Sequence, residues 1–154
     1  MLLRIYLNDH LAGATVAVEL ARRSRKRNRG NSFGEFLAWL TEQIDADRRT
    51  LRSLMDELEM RIDVSKQIAA WGSEKLGRLK LNGSLTGYSP LSRLIELEFL
   101  ALGVAGKLAM WRVLQDSVGA PLGDTDLEAL IDRAEHQRSE LERHRVRAAE
   151  EVFS

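Results

Sequence analysis

Apolar positions in the stretch that begins at Ser32 follow steps of four and three: Phe33, Leu37, Leu40, Ile44, Leu51, Leu54 and Leu58, with Asp47 standing in the place between Ile44 and Leu51. That spacing keeps one stripe of a helix against a partner. The C-terminal stretch repeats it with Leu127, Ile131, Ala134, Leu141, Ala148 and Val152, and puts Arg138 and Arg145 in two of the apolar places. Two other stretches are apolar over a wider arc. The first carries Leu3, Leu7, Ala14 and Ala21 flanked by His10 and Ala17, with Ile5, Val16 and Leu20 on a further face. The third sets Leu100, Val104, Trp111 and Leu114 on one side and Ile95, Phe99, Leu102, Met110 and Val113 on another. Glu96 and Lys107 fall within the first of these arcs. Helices apolar beyond the core stripe need cover from outside a four-helix core; a crossover helix and a second copy of the chain are the expected covers.

Turn chemistry divides these patterns. The first helix is predicted from about Leu2 to Arg25 and breaks in Lys26-Arg27-Asn28-Arg29-Gly30-Asn31. Ser32-Phe33-Gly34-Glu35 reads as a capping box opening a second helix that ends near Met60. A shorter pattern, capped by Asp63, runs from about Val64 to Leu79 and carries Trp71. Asn82 to Tyr88 reads as a loop, and Ser89-Pro90 supplies an N-cap with proline at the first helical position, starting a helix that ends at Gly119. Thr125-Asp126-Leu127-Glu128 is a second capping box, opening a helix that runs nearly to Phe153.

Four long helices joined by a short, a long and a short link make one domain, 1–154, expected as two antiparallel hairpins whose second and third helices run parallel, the alternative being an up-and-down bundle in which the short helix caps one end. In helix lengths and connection order the chain resembles the ferritin-like superfamily. The resemblance implies an all-α ferritin-like four-helix bundle, with a long crossover containing the short helix. It also implies a place for two iron or manganese ions at mid-bundle, held by a Glu from each of two helices and Glu-x-x-His from each of the others. This chain departs from that ligand set. Glu42-Gln43-Ile44-Asp45 has an aspartate where the histidine belongs, Glu135-His136-Gln137-Arg138 has an arginine there, and His136 is expected to point outward.

Charge sharpens the departure. Measured at 1.5 Å per residue, His10, Asp47, Lys107 and Arg138 reach the middle of the bundle within about one helical turn of one another, and Glu96 lies two to three turns away near Arg145. Two cations in a layer that should hold a metal pair favour a metal-free core of ion pairs: His10, Asp47, Glu96, Lys107, Arg138 and Arg145. The alternative is a single iron or manganese on His10, Asp47 and Glu96. Asp47 and Glu96 beside cations suit ion pairs better than proton transfer. Ser32 and Ser89 read as caps, and Gly103 and Gly106 as points of close helix approach.

Twenty-three basic residues balance 23 acidic ones, so no overall field draws the chain to nucleic acid or an anionic membrane. The absence of cysteine removes disulfides, thiolate metal sites and cysteine nucleophiles. No apolar run is long enough for a membrane span, and a cytoplasmic location is expected. One basic run stands out, with Arg22, Arg23, Arg25, Lys26, Arg27 and Arg29 as either a solvated helix end or an anion contact. The expected function is a non-catalytic homodimeric or interaction module with a buried ion-pair core. An atypical metal-binding or oxidoreductase protein and a carrier of a small apolar ligand are the alternatives.

Overall fold

A computed structural model describes residues 1–63, 87–118 and 122–154. Among them the chain is all-helical: α1 (Leu2–Arg27), α2 (Ser32–Glu57), α3 (Pro90–Val113) and α4 (Leu127–Phe153), with α3 widening into a π-helical turn over Leu114–Val118. No helix among the described residues is long and apolar enough to cross a membrane. The short helix expected over 64–79, with Trp71, lies outside the described residues, as does Gly119, the expected end of the third helix.

Three of the four long helices begin where a side chain takes up orphaned backbone N–H groups; Met1, ahead of α1, supplies no such cap. Ser89 does so for α3, accepting from Ser92 N in a reciprocal capping box ahead of Pro90. At the other two starts the cap differs by one residue from the expected one. Asn31, not Ser32, caps α2, its Oδ1 accepting from the amides of Phe33 at 3.0 Å and Gly34 at 3.1 Å. Asp126, not Thr125, caps α4 through Ala129 N. In both cases the amide or carboxylate occupies the extra-helical position, and the neighbouring hydroxyl is left out; the Ser32 hydroxyl instead accepts from Arg147.

The turn between α1 and α2 is tight enough to need a particular residue. A Cβ on Gly34 would lie 2.2 Å from the Asn28 carbonyl oxygen, far inside contact distance. Gly34 therefore lets the first turn of α2 sit directly on the end of α1.

Side-chain bonds fix the helix directions. Arg27, at the end of α1, donates to Glu96 near the start of α3, and Arg93 bonds Glu151 at the end of α4. Arg112 near the end of α3 reaches Glu135 near the start of α4. Helix α1 packs on α2 and α3, while α4 packs on α3 and more lightly on α2, so α2 and α3 lie across the diagonal and run parallel. Residues 58–63 leave at the end where α1 begins, held by Asn8, whose side chain donates to Arg61 O and accepts from Asp63 N. Tyr88 rejoins at the opposite end, against Asn28.

Two apolar clusters fill the interior. One, including Phe33, Leu37, Leu40, Ile44, Leu97, Leu100, Val104 and Leu141, sits toward the α1–α2 turn. The other, including Leu7, Leu51, Leu54, Met55, Leu108, Trp111 and Ala134, fills the far half. Asp47 falls between Ile44 and Leu51, Lys107 between Val104 and Leu108, and Gln137 between Ala134 and Leu141. The core is thus divided by a polar layer.

Candidate functional site

Asp47, only 1% exposed, anchors that layer. Its Oδ2 accepts from Lys107 Nζ at 2.5 Å and from Gln137 Nε2 at 2.9 Å, and Lys107 also donates to Gln137 Oε1. Arg133 forms an ion pair with Oδ1. No donor among the described residues meets that oxygen in hydrogen-bonding geometry. Three helices supply this network, and removing the carboxylate would strand two cations. Burial pushes the Lys107 ammonium below the usual lysine value, opposed by the charge and hydrogen bond of Asp47.

A cavity of about 380 Å³ adjoins the layer, open between α1 and α3 and reaching α2. Asp47 and Lys107 are part of its wall, as are His10 and Trp111. Small residues make the space: Gly13, Ala14 and Ala17 on α1 face the side of α3 that carries Gly103 and Gly106. A Cβ at Gly13 or Gly106 would meet nothing within 4 Å, so these glycines border open space. At Gly103 a Cβ would touch Ala17 Cβ at 3.7 Å, so close helix approach is confined to that point. The rest of the wall is largely aliphatic, with Leu20, Leu40, Ile44, Leu100 and Val104 prominent. Trp111 is fully buried, yet its indole N–H has no hydrogen-bond partner among the described residues. Such a group carries a desolvation cost of about 1–3 kcal/mol unless something accepts from it.

The polar residues singled out in the sequence are not all in one place. Asp47 and Lys107 meet, as above. His10 is half-buried, lines the same cavity and packs edge-on against Tyr6 at 4.6 Å; burial lowers its pKa, with Asp9 pulling the other way. Glu96 is buried, but belongs to a separate cluster at the end of the bundle, accepting from Arg27 at 2.7 Å and the Tyr88 hydroxyl at 3.0 Å. Burial, then the Glu96 charge, pushes the Tyr88 phenol up to about 12.

Arg138 and Arg145 correct the expected core. Arg138 is exposed, and Arg145 lies on the outer side of α4, bonded to Glu142 with Glu98 at 3.5 Å. The buried line on α4 runs through Leu130, Ala134, Gln137 and Leu141, one residue off the expected series at 131 and 138. Arg133 and Gln137 consequently take the place assigned to Arg138. A glutamine in an otherwise charged stretch gives little sequence signal, although its position four residues before Leu141 was available.

Among the described residues, no three His, Asp or Glu side chains come together as a metal site would require. The His10, Asp47 and Glu96 set is divided because Glu96 is turned toward Arg27 and Tyr88 and Asp47 toward its cations. The basic run is also divided. Arg27 is drawn to Glu96 and lies over the Tyr88 ring, Arg22 pairs with Glu19 and Asp45, and Arg23 is half-buried. Arg25, Lys26 and Arg29 stay exposed. His136 is exposed and edge-on to Trp39, while His144, unremarked in the sequence, stacks on Phe36 at 3.7 Å.

No protein-family model matches the chain, and no curated protein or solved structure matches it either. The cavity and its polar floor therefore carry the functional reading.

Proposed function

We propose that the chain is a non-catalytic binding module that holds a small, mainly apolar molecule between α1 and α3. The observation that carries this reading is a cavity of about 380 Å³ walled mostly by aliphatic side chains, with the Lys107–Asp47 pair as a polar part of its wall. Ligand sites combine an apolar wall with a few convergent polar groups. For scale, an apolar cavity of roughly 150 Å³ takes benzene. A non-catalytic role is favoured because the two buried carboxylates, Asp47 and Glu96, are each held by cations. Under the same proposal the bundle is ferritin-like in its parallel second and third helices, works in the cytoplasm, and has exchanged a metal layer for an ion-pair layer.

Thermal unfolding in the presence of toluene and 1-octanol tests the reading. A ligand that binds only the folded chain raises the midpoint with its concentration, and Gly106→Leu, which fills the cavity, should remove that rise. Unchanged midpoints for the unaltered chain at saturating probe would sink the proposal.

A homodimer is the second reading, favoured by the exposed apolar side chains Ile5, Phe99, Leu102 and Val113 on α1 and α3, with Leu102 69% exposed. Light scattering on a size-exclusion column decides it: a monomer mass at 100 micromolar, roughly the upper range for a specific contact, would remove it.

A further inference from the structure

The cavity is longer than it is wide and its polar residues are gathered in one half, and this inference rests on the binding reading above. We propose that the cavity takes a single straight hydrocarbon chain with an uncharged polar head, the tail pointing toward the α1–α2 turn and the head lying in the half that carries His10.

The dimensions give the shape of the ligand. The wall runs from Asp9 to Leu20 on α1, from Leu40 to Leu51 on α2 and from Phe99 to Trp111 on α3. At 1.5 Å per residue each of these spans is roughly 16 to 18 Å along the bundle axis. A volume of about 380 Å³ spread over that length leaves a mean cross-section of roughly 20 to 25 Å². That is width for one extended alkyl chain, and too little for two chains or a globular cage. An extended chain advances about 1.2 Å per bond, so the length holds about a dozen carbons. Gly13 and Gly106 keep the passage open at mid-length, since a Cβ at either would meet nothing within 4 Å.

Polarity along the axis gives the orientation. Helix α1 runs toward the α1–α2 turn, while α2 and α3 run away from it. Ala17 and Gly103 stand at one level, where a Cβ on Gly103 would lie 3.7 Å from that of Ala17. On the turn side of that level the described wall is apolar, with Leu20, Leu40, Phe99 and Leu100. Its polar residues, Asp9, His10, Asp47, Arg48 and Lys107, all lie on the other side. A ligand with one polar end therefore matches the wall in one direction only.

The charges in the polar half already have partners within the protein. Lys107 bonds Asp47, and Arg48 bonds Asp45 at 2.8 Å. His10 is held toward its neutral form by burial, and Asp9 is exposed at the rim, where water screens it. An ionised head would bring in a charge with no partner left for it, which is costly wherever water is excluded. A hydroxyl carries no such cost and suits a polar wall.

Calorimetric titration of the full chain at pH 7 with 1-hexanol, 1-octanol and 1-decanol tests the shape. Affinity should rise about fourfold for each methylene added. 1-Decanol should bind about tenfold or more tighter than 1-adamantanol, a globular cage of the same carbon count that cannot lie along the wall. Octanoate and octylamine should bind more weakly than 1-octanol. Ala17→Leu, which places a side chain across the tail half, should cost 1-decanol about tenfold or more and 1-hexanol, short enough to stay on the polar side, about twofold or less. Should leucine unfold the chain, Ala17→Val narrows the same point and should move the decanol-to-hexanol ratio in the same direction. 1-Adamantanol binding as tightly as 1-decanol would overturn the single-chain proposal. Octanoate or octylamine binding more tightly than 1-octanol would overturn the uncharged head, and equal losses of hexanol and decanol in the Ala17 variant would overturn the orientation. In each of these cases the cavity reading stands. A decanol affinity unmoved by both Ala17→Leu and Gly106→Leu would mean adsorption elsewhere and would overturn the proposal as well. If none of the probes binds, the cavity reading itself fails, and this proposal with it.

Discussion

Lys107 and Asp47 meet across the diagonal of the bundle: Nζ lies 2.5 Å from Oδ2, although α2 and α3 are not packed side by side. The contact is made by the length of the lysine side chain, and it holds a carboxylate that only 1% of its surface area exposes to water. Because Gln137 bonds both partners, the layer ties α2, α3 and α4 to one register. An apolar stripe can slip by a turn with modest loss. A buried ion pair cannot, because slippage strands a charge.

Breaking that layer from its acidic side should therefore be worse than replacing it. Asp47→Ala leaves Lys107 and Arg133 without their acceptor and is expected to cost about 3 kcal/mol or more. Lys107→Met should cost less, since Arg133 and Gln137 remain on the carboxylate. The double variant Asp47→Leu/Lys107→Met should be more stable than the sum of the single changes allows, because it leaves no buried pair half broken. Urea unfolding of the three proteins gives the coupling directly; strict additivity would mean that the pair contributes nothing specific.

Gly34→Ala tests the turn between α1 and α2. Alanine is ordinarily the better helix former, by about 1 kcal/mol. Here the added Cβ would sit 2.2 Å from a backbone oxygen, which no side-chain rotation can relieve. The expected outcome is a net loss of about 1–3 kcal/mol in urea unfolding. A gain in stability would show that the helices do not approach so closely.

The helices and the odd aspartate were legible in the sequence for the same reason: a one-sided apolar period exposes whatever interrupts it. Asp47 interrupts a series whose other members, from Phe33 to Leu54, are all buried, so its burial followed from its position. The fourth helix was phased less securely. Leu127 and Ile131 set the series one residue late at its start, and the shared members Ala134, Leu141 and Ala148 fit either phase, so the sequence pattern points to Arg138 where the fold buries Gln137. Glu96 and Lys107 share a face but stand eleven residues apart, roughly 16 Å along α3, and the sequence had no means of knowing that Arg27 would turn inward to claim the former. The cavity was not legible. It depends on which side of Gly13 and Gly106 faces a neighbour, a matter of three-dimensional placement that a glycine's own sequence context does not record.

Tyr88 should make the fold sensitive to alkali. Its phenol is pushed from 10.0 to about 12 in the folded chain. Between those values the unfolded chain has lost the phenolic proton while the folded chain keeps it, so the folded state binds more protons and stability falls as pH rises through the window. Below pH 10 both states hold the proton and the contribution is whole. Tyr88→Phe should lose about 1 kcal/mol at neutral pH with the bonds to Asn28 and Glu96. Between pH 10 and 12 its stability should decline less steeply than that of the unaltered chain. Parallel slopes for the two proteins in urea unfolding at stepped pH would refute the assignment.

Gly106→Leu separates empty space from necessary space. Glycine within a helix is disfavoured by about 1 kcal/mol relative to good helix formers, and a leucine grown from this position meets nothing within 4 Å of its Cβ. Its side chain would enter the cavity and cover aliphatic wall there. If the cavity is open in the free protein, the variant should be more stable by about 1–2 kcal/mol and should no longer respond to toluene or 1-octanol. That combination, stability gained and binding lost, is the signature of a site kept open at a cost to the fold. Had glycine been retained there for close helix packing instead, leucine would force α1 and α3 apart and the midpoint in urea would fall.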